Sequence, residues 1–194
     1  MHDNLIIYIN NQLTVKLSEE EISLIKSVFK YKKLRKHQYL LQAGDVCKLA
    51  GFLLKGAMKL YTVDDTGKES ILDLFLENWW VGDKESFQTA SPSPYYIDAC
   101  EETEMLLVSK TDYDKYLQPQ RFMGEFIGSL MEKRALQLYK QVYAAKTLTA
   151  EQRLIDLEGK HPEFFQRFPQ RIIASYLGMT KETLSRIRAN FLKK

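Results

Sequence analysis

The sequence predicts an α+β chain with three parts: an antiparallel β-rich first half, one long central helix and a C-terminal helix-turn-helix. Three observations carry that reading. From about Lys33 to Val108 short apolar or alternating runs are cut at even intervals by turn residues. After Pro119 the period changes, and apolar residues spread at helical spacing from about Gln120 to Lys146. Between Gln170 and Leu192 two short helical patterns flank the three residues Gly178-Met179-Thr180, the spacing a helix-turn-helix needs.

The first ten residues, MHDNLIIYIN, hold an apolar run far too short for a signal peptide, with Asp3 and no leading Lys or Arg. Leu17-Ser18-Glu19-Glu20-Glu21 opens a helix. Ser18 with Glu21 three residues on is a capping box, and Ile22, Ile25, Val28 and Phe29 form the apolar stripe. Glutamates in a first turn answer the helix dipole, so they need no catalytic role.

Strands are expected at Gln38 to Leu41, Leu49 to Leu54, Met58 to Val63, Ser70 to Leu76, Ile97 to Cys100 and Glu104 to Val108. The turns between them carry Ala43-Gly44-Asp45, Lys55-Gly56, Asp64-Asp65-Thr66-Gly67 and Glu101-Glu102-Thr103. Strands so short and so evenly spaced argue for an antiparallel sandwich or barrel. The acidic turn at Asp64 lacks the alternating ligands and terminal Glu of a calcium loop and reads as a hairpin. Trp79-Trp80 and Tyr95-Tyr96 either pack core and rim or line a pocket for an apolar or aromatic effector.

Thr111 to Leu117 reads as a short helix, and Pro119 begins the long one. Phe122, Phe126, Ile127, Leu130, Met131, Leu138, Val142 and Tyr143 cover more than one narrow face of it, interrupted by Lys133, Arg134, Gln137 and Gln141. A helix packed on its own chain along one side and on a twin along the other has this pattern. Thr149 caps the next helix, Ala150 to Gly159, whose apolar residues are Leu154, Ile155 and Leu157, and His161-Pro162 breaks it. Phe164, Phe165, Phe168 and Pro169 either wedge the linker beneath the helix-turn-helix or touch a partner such as RNA polymerase.

In the C-terminal motif Gly178 supplies the left-handed backbone that ends the first helix, and Thr180 caps the second. Leu184, Ile187 and Phe191 face Ile173, Ala174 and Leu177, which leaves Lys181, Glu182, Ser185, Arg186 and Arg188 outward. Arg and Lys can donate to guanine, Glu can accept from the cytosine amino group, and Ser and Thr can hold phosphates. The competing reading is a helical hairpin with a solvated charged face.

Charge distribution favours nucleic acid. The chain has 28 Lys and Arg against 25 Asp and Glu; residues 147–194 hold nine against five, leaving 19 against 20 before them. With 194 residues, 45% apolar and 27% charged, one large or two small cores are within reach. No run has the length of a membrane span, and a cytoplasmic location is expected. Cys47 and Cys100 read as small buried hydrophobes of a reducing compartment, with a redox pair as the alternative. His2, His37 and His161 form no metal spacing. No nucleophile elbow, phosphate loop or metalloprotease helix is present, so catalytic residues, metals and cofactors are not expected.

The run I-A-x-x-L-G-M-T-K-E-T-L-S-R, from Ile173 to Arg186, resembles the DNA-binding signature of the Crp/Fnr family, dimeric bacterial transcription factors named for the cyclic-AMP receptor protein and the fumarate-nitrate regulator. L-Q-A-G-D, F-L-L-K-G-A-M-K-L-Y and V-G-D resemble that family's cyclic-nucleotide-binding-like β-roll. The resemblance implies a sensor domain over residues 1–118, a dimerisation helix over 119–146 and a DNA-binding domain over 147–194. It puts Lys181, Glu182 and Arg186 at base-reading positions, with Lys181 where Arg is common, lacking Arg's bidentate fork. Gln170, Arg171, Thr180 and Thr183 fall at phosphate-contacting positions, and the outward Ser185 and Arg188 join them. It further implies a parallel homodimer coiled coil, for which Phe126, Ile127, Leu130, Arg134, Leu138 and Gln141 are the expected residues. Two recognition helices one DNA turn apart then call for an inverted-repeat site. The sequence read here stops at Lys194, where the family's β-hairpin wing would follow, so a wingless motif is expected.

One stretch departs from the family. A cyclic phosphate needs backbone amides at a helix N-terminus and a bidentate Arg. Gly82-Asp83 keeps the start of that cassette, Ser93 stands at the Arg position beside Tyr95 and Tyr96, and Lys84 is the lone cation between Val81 and Ala99. Gly82, Asp83, Ser93, Tyr95 and Tyr96 are therefore the candidate pocket for an unknown small-molecule effector other than cyclic AMP. Occupancy of the roll would be coupled to the DNA-reading heads. The alternatives are a cyclic-nucleotide regulator with a non-standard pocket, a protein-interaction module with a vestigial sensor, and an enzyme.

Overall fold

The apolar run Leu5 to Ile9 lies within helix α1 (Asp3–Asn10), a helix that the sequence reading did not anticipate. Leu5, Ile6 and Ile9 share its buried face. The Asn10 side chain accepts from the Leu17 amide at 2.8 Å and closes the loop into α2 (Glu19–Val28). There Ser18 Oγ accepts from Glu21 N at 3.2 Å and Glu21 Oε2 from Ser18 N at 2.8 Å, the expected reciprocal cap. The structure is a computed structural model that describes residues 1–191, with side chains through Asn190. Phe191's side chain and Leu192, expected on the inner face and at the end of the last helix, are outside the described set.

Strands β1 (Lys30–Leu34), β2 (Tyr39–Leu41), β3 (Leu49–Lys55), β4 (Met58–Val63), β5 (Glu69–Phe75), β6 (Trp80–Val81), β7 (Tyr96–Ala99) and β8 (Thr103–Ser109) form two four-stranded sheets. Their orders are β1-β8-β3-β6 and β2-β7-β4-β5, and the paired registers in the first are antiparallel. Helix α3 (Lys84–Thr89) interrupts the series between β6 and β7.

Period-two alternation divides the side chains of the first sheet between two cores. Phe52, Leu106 and Val108 join Leu5, Ile9, Ile25, Val28 and Phe126 on its helical side. Leu53, Met105 and Leu107 point the other way, to Met58, Phe75 and Ile97 of the second sheet. A sheet buried on both faces explains the unbroken apolar run at Met105 to Val108. Lys59 and Asp98, 5% and 4% exposed, pair at 3.8 Å across β4 and β7.

After β8, helix α4 (Lys110–Asp112) passes into a π-helical turn, Tyr113–Leu117, where a plain short helix was expected. Pro119 stands two residues ahead of α5 (Arg121–Thr147). Then follow α6 (Ala150–Lys160), α7 (Phe164–Arg167), α8 (Gln170–Tyr176) and α9 (Lys181–Phe191). Thr149 and Gln152 make a second capping box at α6. Leu154 and Leu157 are buried there, whereas Ile155, the third apolar residue of the helix, is 51% exposed.

The chain divides into two compact units. One comprises Met1–Leu60 with Leu74–Lys133, the other Tyr61–Asp73 with the chain from Arg134 onward. The end of the β4–β5 hairpin thus groups with the C-terminal helices, a division the sequence reading did not foresee.

Helix α5 requires a correction. Phe126, expected to face a twin, is 1% exposed, with its ring 5.7 Å from Trp80 and 6.4 Å from Tyr8. Ile127 and Leu130 pack on the same core. Arg134 pairs with Asp73, and Gln141 donates to Tyr176 Oη at 2.7 Å, so both are engaged within their own chain. Of the expected set Leu138 is exposed, in the company of Leu136, Tyr139, Val142 and Tyr143.

Candidate nucleic-acid interface

Helices α8 and α9 are placed by a small core. Ile172, Ile173 and Ala174 are buried on α8 and Leu184 on α9, and Ile172 was not among the residues anticipated for this core. Phe164 is fully buried beneath them, its ring 5.4 Å from Phe168 and 6.2 Å from Tyr176. Those two phenylalanines are therefore packing residues, the wedge reading of the linker.

Gly178 has φ of 66°, as the turn requires. Thr180 Oγ1 accepts from Thr183 N at 3.2 Å and so caps α9. Its hydroxyl donates to Thr183 Oγ1 at 3.2 Å. Lys181, Glu182, Ser185 and Arg186 are exposed on the first two turns of α9, and Gln170 and Arg171 are exposed at the start of α8. Thr183 is half-buried. Arg188 is half-buried as well, its guanidinium 5.6 Å from the Phe165 ring centroid, so it is less free than expected. The Glu182 carboxyl is held below the usual range, first by its own backbone amide at the helix start and then by the Thr180 hydroxyl.

The candidate effector pocket is satisfied from within. Asp83 is 7% exposed and caps α3, accepting from Glu85 N at 3.0 Å and Ser86 N at 3.4 Å. Its carboxylate thereby occupies amides that could otherwise face an anion. Ser93 is 2% exposed, its hydroxyl accepts from Tyr95 N at 3.1 Å, and its backbone bonds Asp45 and Gly44 at 2.8 Å each. Ser86 Oγ accepts from Cys47 N at 2.8 Å and donates to Ser91 O at 2.5 Å. Burial pushes the Cys47 thiol up, as befits a packing residue.

Gly82 has φ of 154°, a backbone that L side chains rarely adopt, so a side chain there would be strained although there is room for its Cβ. Tyr95 and Tyr96 are half-buried, and Tyr96 is paired with Tyr39 at 6.0 Å. A groove of about 340 Å³ is lined elsewhere, by Leu24, Ser27, Val28, Lys30, Asp112 and Tyr116. Among the described residues no three His, Cys, Asp or Glu side chains are grouped to hold a metal, and no helix is long and apolar enough to cross a membrane.

Residues 31–120 match the family described as the cyclic nucleotide-binding domain. An anaerobic regulatory protein of Haemophilus influenzae is 25% identical over 189 residues, covering 91% of this chain and 73% of its own length. A fumarate and nitrate reduction regulatory protein of Vibrio cholerae is 26% identical over 191 residues, with 91% and 75% covered. Among solved structures, the c-di-GMP responsive global regulator CLP of Xanthomonas campestris shares the fold, with a TM-score of 0.68 at 14% identity over 89% of this chain and 90% of that one.

A cyclic-nucleotide-binding-type β-roll, a long helix and a helix-turn-helix in one chain define a class, the DNA-binding transcription regulators that carry an N-terminal sensor domain. In these matches the chain is similar to the Crp/Fnr family of such regulators, whose members bind DNA as dimers.

Proposed function

We propose that the chain acts in the cytoplasm as a homodimer that reads an inverted-repeat operator with α9, under control of a small-molecule effector other than cyclic AMP. Lys181, Glu182 and Arg186 read bases. Gln170, Arg171, Thr180, Thr183, Ser185 and Arg188 hold phosphates. Residues 1–118 sense, 119–146 dimerise and 147–194 bind DNA, and no catalytic step is involved. The observation that carries the reading is the capped α9, whose first two turns expose Lys181, Glu182, Ser185 and Arg186 while Leu184 is fully buried. The polar groups of the cassette, bonded to one another, support an effector chemistry other than a cyclic phosphate.

Selection from random duplex DNA by the purified, effector-free chain tests this directly. Enrichment of an inverted repeat is the expected result. Absence of enrichment both here and after a screen of small molecules would overturn sequence-specific reading in favour of an interaction module.

A further inference from the structure

The tip half of the β4–β5 hairpin carries polar groups that neither the sheet nor base reading accounts for. Glu69 and Ile71 are two residues apart on β5, the outermost strand of its sheet, so their backbone groups address the same edge. The Ser175 hydroxyl accepts from Ile71 N at 3.0 Å and donates to Glu69 O at 3.4 Å, as one residue of a neighbouring strand would. Two positions along β5, Asp73 is 1% exposed and its Oδ2 is 2.5 Å from Arg134 Nη2 of α5. Gln141, two turns further on α5, donates to Tyr176 Oη at 2.7 Å. Burial, then the charge of Asp73, pushes the Tyr176 hydroxyl up to about 12, consistent with Asp73 near the same end of α8. Ser175 and Tyr176 are the last residues before the turn that launches α9.

We infer that Asp73, Arg134 and Ser175 are positioning residues for DNA recognition, fastening residues 61–73 to α8 so that hairpin tip and recognition helix move as one body. The inference rests on the DNA-reading function proposed above. Its physical basis is that a short helix end has few ways to be fixed. A strand edge that meets a hydroxyl as donor and as acceptor fixes this one directly, and the pair between buried Asp73 and Arg134 ties the same hairpin to α5, whose Gln141 holds Tyr176. A change that shifts the hairpin then shifts α9, without any contact between hairpin and DNA.

The test uses the full chain with Ser175→Ala, Arg134→Gln and, as a conservative control, Arg134→Lys. Amide hydrogen exchange is measured first, without DNA. Ser175→Ala, which alters no charge and removes a single hydroxyl, is expected to speed exchange in both residues 61–73 and α8 by about tenfold, with Arg134→Gln doing the same and Arg134→Lys recovering most of the protection. Faster exchange confined to the hairpin, with α8 unchanged, would overturn the inference.

Binding is measured next, to the duplex selected by the wild type and to a scrambled duplex of equal length. Ser175→Ala and Arg134→Gln are each expected to weaken the selected duplex by about tenfold and to leave the scrambled one within about twofold. Wild-type affinity for the selected duplex in both variants would overturn the positioning role while leaving base reading intact. A wild type with no preference between duplexes would overturn base reading itself, and the exchange result would then decide whether hairpin and α8 are coupled.

Discussion

Arg186 and Arg188 stand two residues apart on α9 and meet different surroundings. Arg186 is exposed, whereas the Arg188 guanidinium sits over the Phe165 ring, which limits the orientations it can offer a base edge. Arg186, with Lys181 and Glu182, is therefore the set proposed for base reading. The lowered pKa of Glu182 keeps its carboxylate ionised through neutral pH, as an acceptor from a cytosine amino group must be, and that charge is lost only as pH falls through the folded value. Arg186→Ala is expected to abolish preference at one base pair, a loss of about 1–3 kcal/mol, while keeping salt-sensitive binding to any duplex. Titrations against selected and scrambled duplexes at two salt concentrations measure both quantities, and wild-type discrimination in the variant would move base reading to other side chains. These residues were legible because Gly178, Thr180 and the apolar spacing mark the motif locally. Arg188 over Phe165 was not, because that contact joins residues 23 positions apart and depends on how α7 packs.

At the scale of elements, legibility followed burial. β3, β4 and β8 alternate or run apolar because the sheet faces they serve are buried, and they were read within a residue or two. β1 escaped: Lys30-Tyr31-Lys32-Lys33 is exposed throughout, as befits a charged edge strand, so no apolar alternation betrays it. α1 was hidden by having apolar residues on nearly every side, although Ile7 is 58% exposed. Nothing local in the strand from Ser70 to Leu76 marks Asp73 as buried, and its partner Arg134 is too distant in sequence to supply such a mark. The cassette around α3 was read from one substitution, Ser93 at the cation position, and the structure adds that Asp83 and Ser93 satisfy the local amides themselves. An incoming cyclic phosphate would have to displace a capping carboxylate and find no guanidinium in exchange. Calorimetric titration with cyclic AMP is accordingly expected to show no binding in the micromolar range, and a micromolar isotherm would return the roll to nucleotide sensing.

For the molecule as a whole, the second half of α5 inverts the usual arrangement of a surface helix. Arg134 and Gln141 are turned toward Asp73 and Tyr176 of their own chain, while Ala135, Leu138, Tyr139 and Val142 are exposed on the flank beside them. Tyr139 is 75% exposed and Val142 54%, and residues 135, 138 and 142 follow the three-then-four spacing of a coiled-coil seam. Apolar residues outside and polar residues inside leave a face that water disfavours and a second copy can cover. A dimer formed there engages two half-sites at once, and each head alone binds far more weakly than the linked pair. Leu138→Glu combined with Val142→Glu puts like charges across that seam without touching the buried Phe126. The expected outcome is a folded monomer by sedimentation at concentrations where the wild type is dimeric. Affinity for the inverted repeat should fall toward that for a single half-site, and salt-sensitive binding to any duplex should survive. A variant that remained dimeric and kept its full operator affinity would place the interface on another surface, and the exposed apolar side of α5 would then need a different partner.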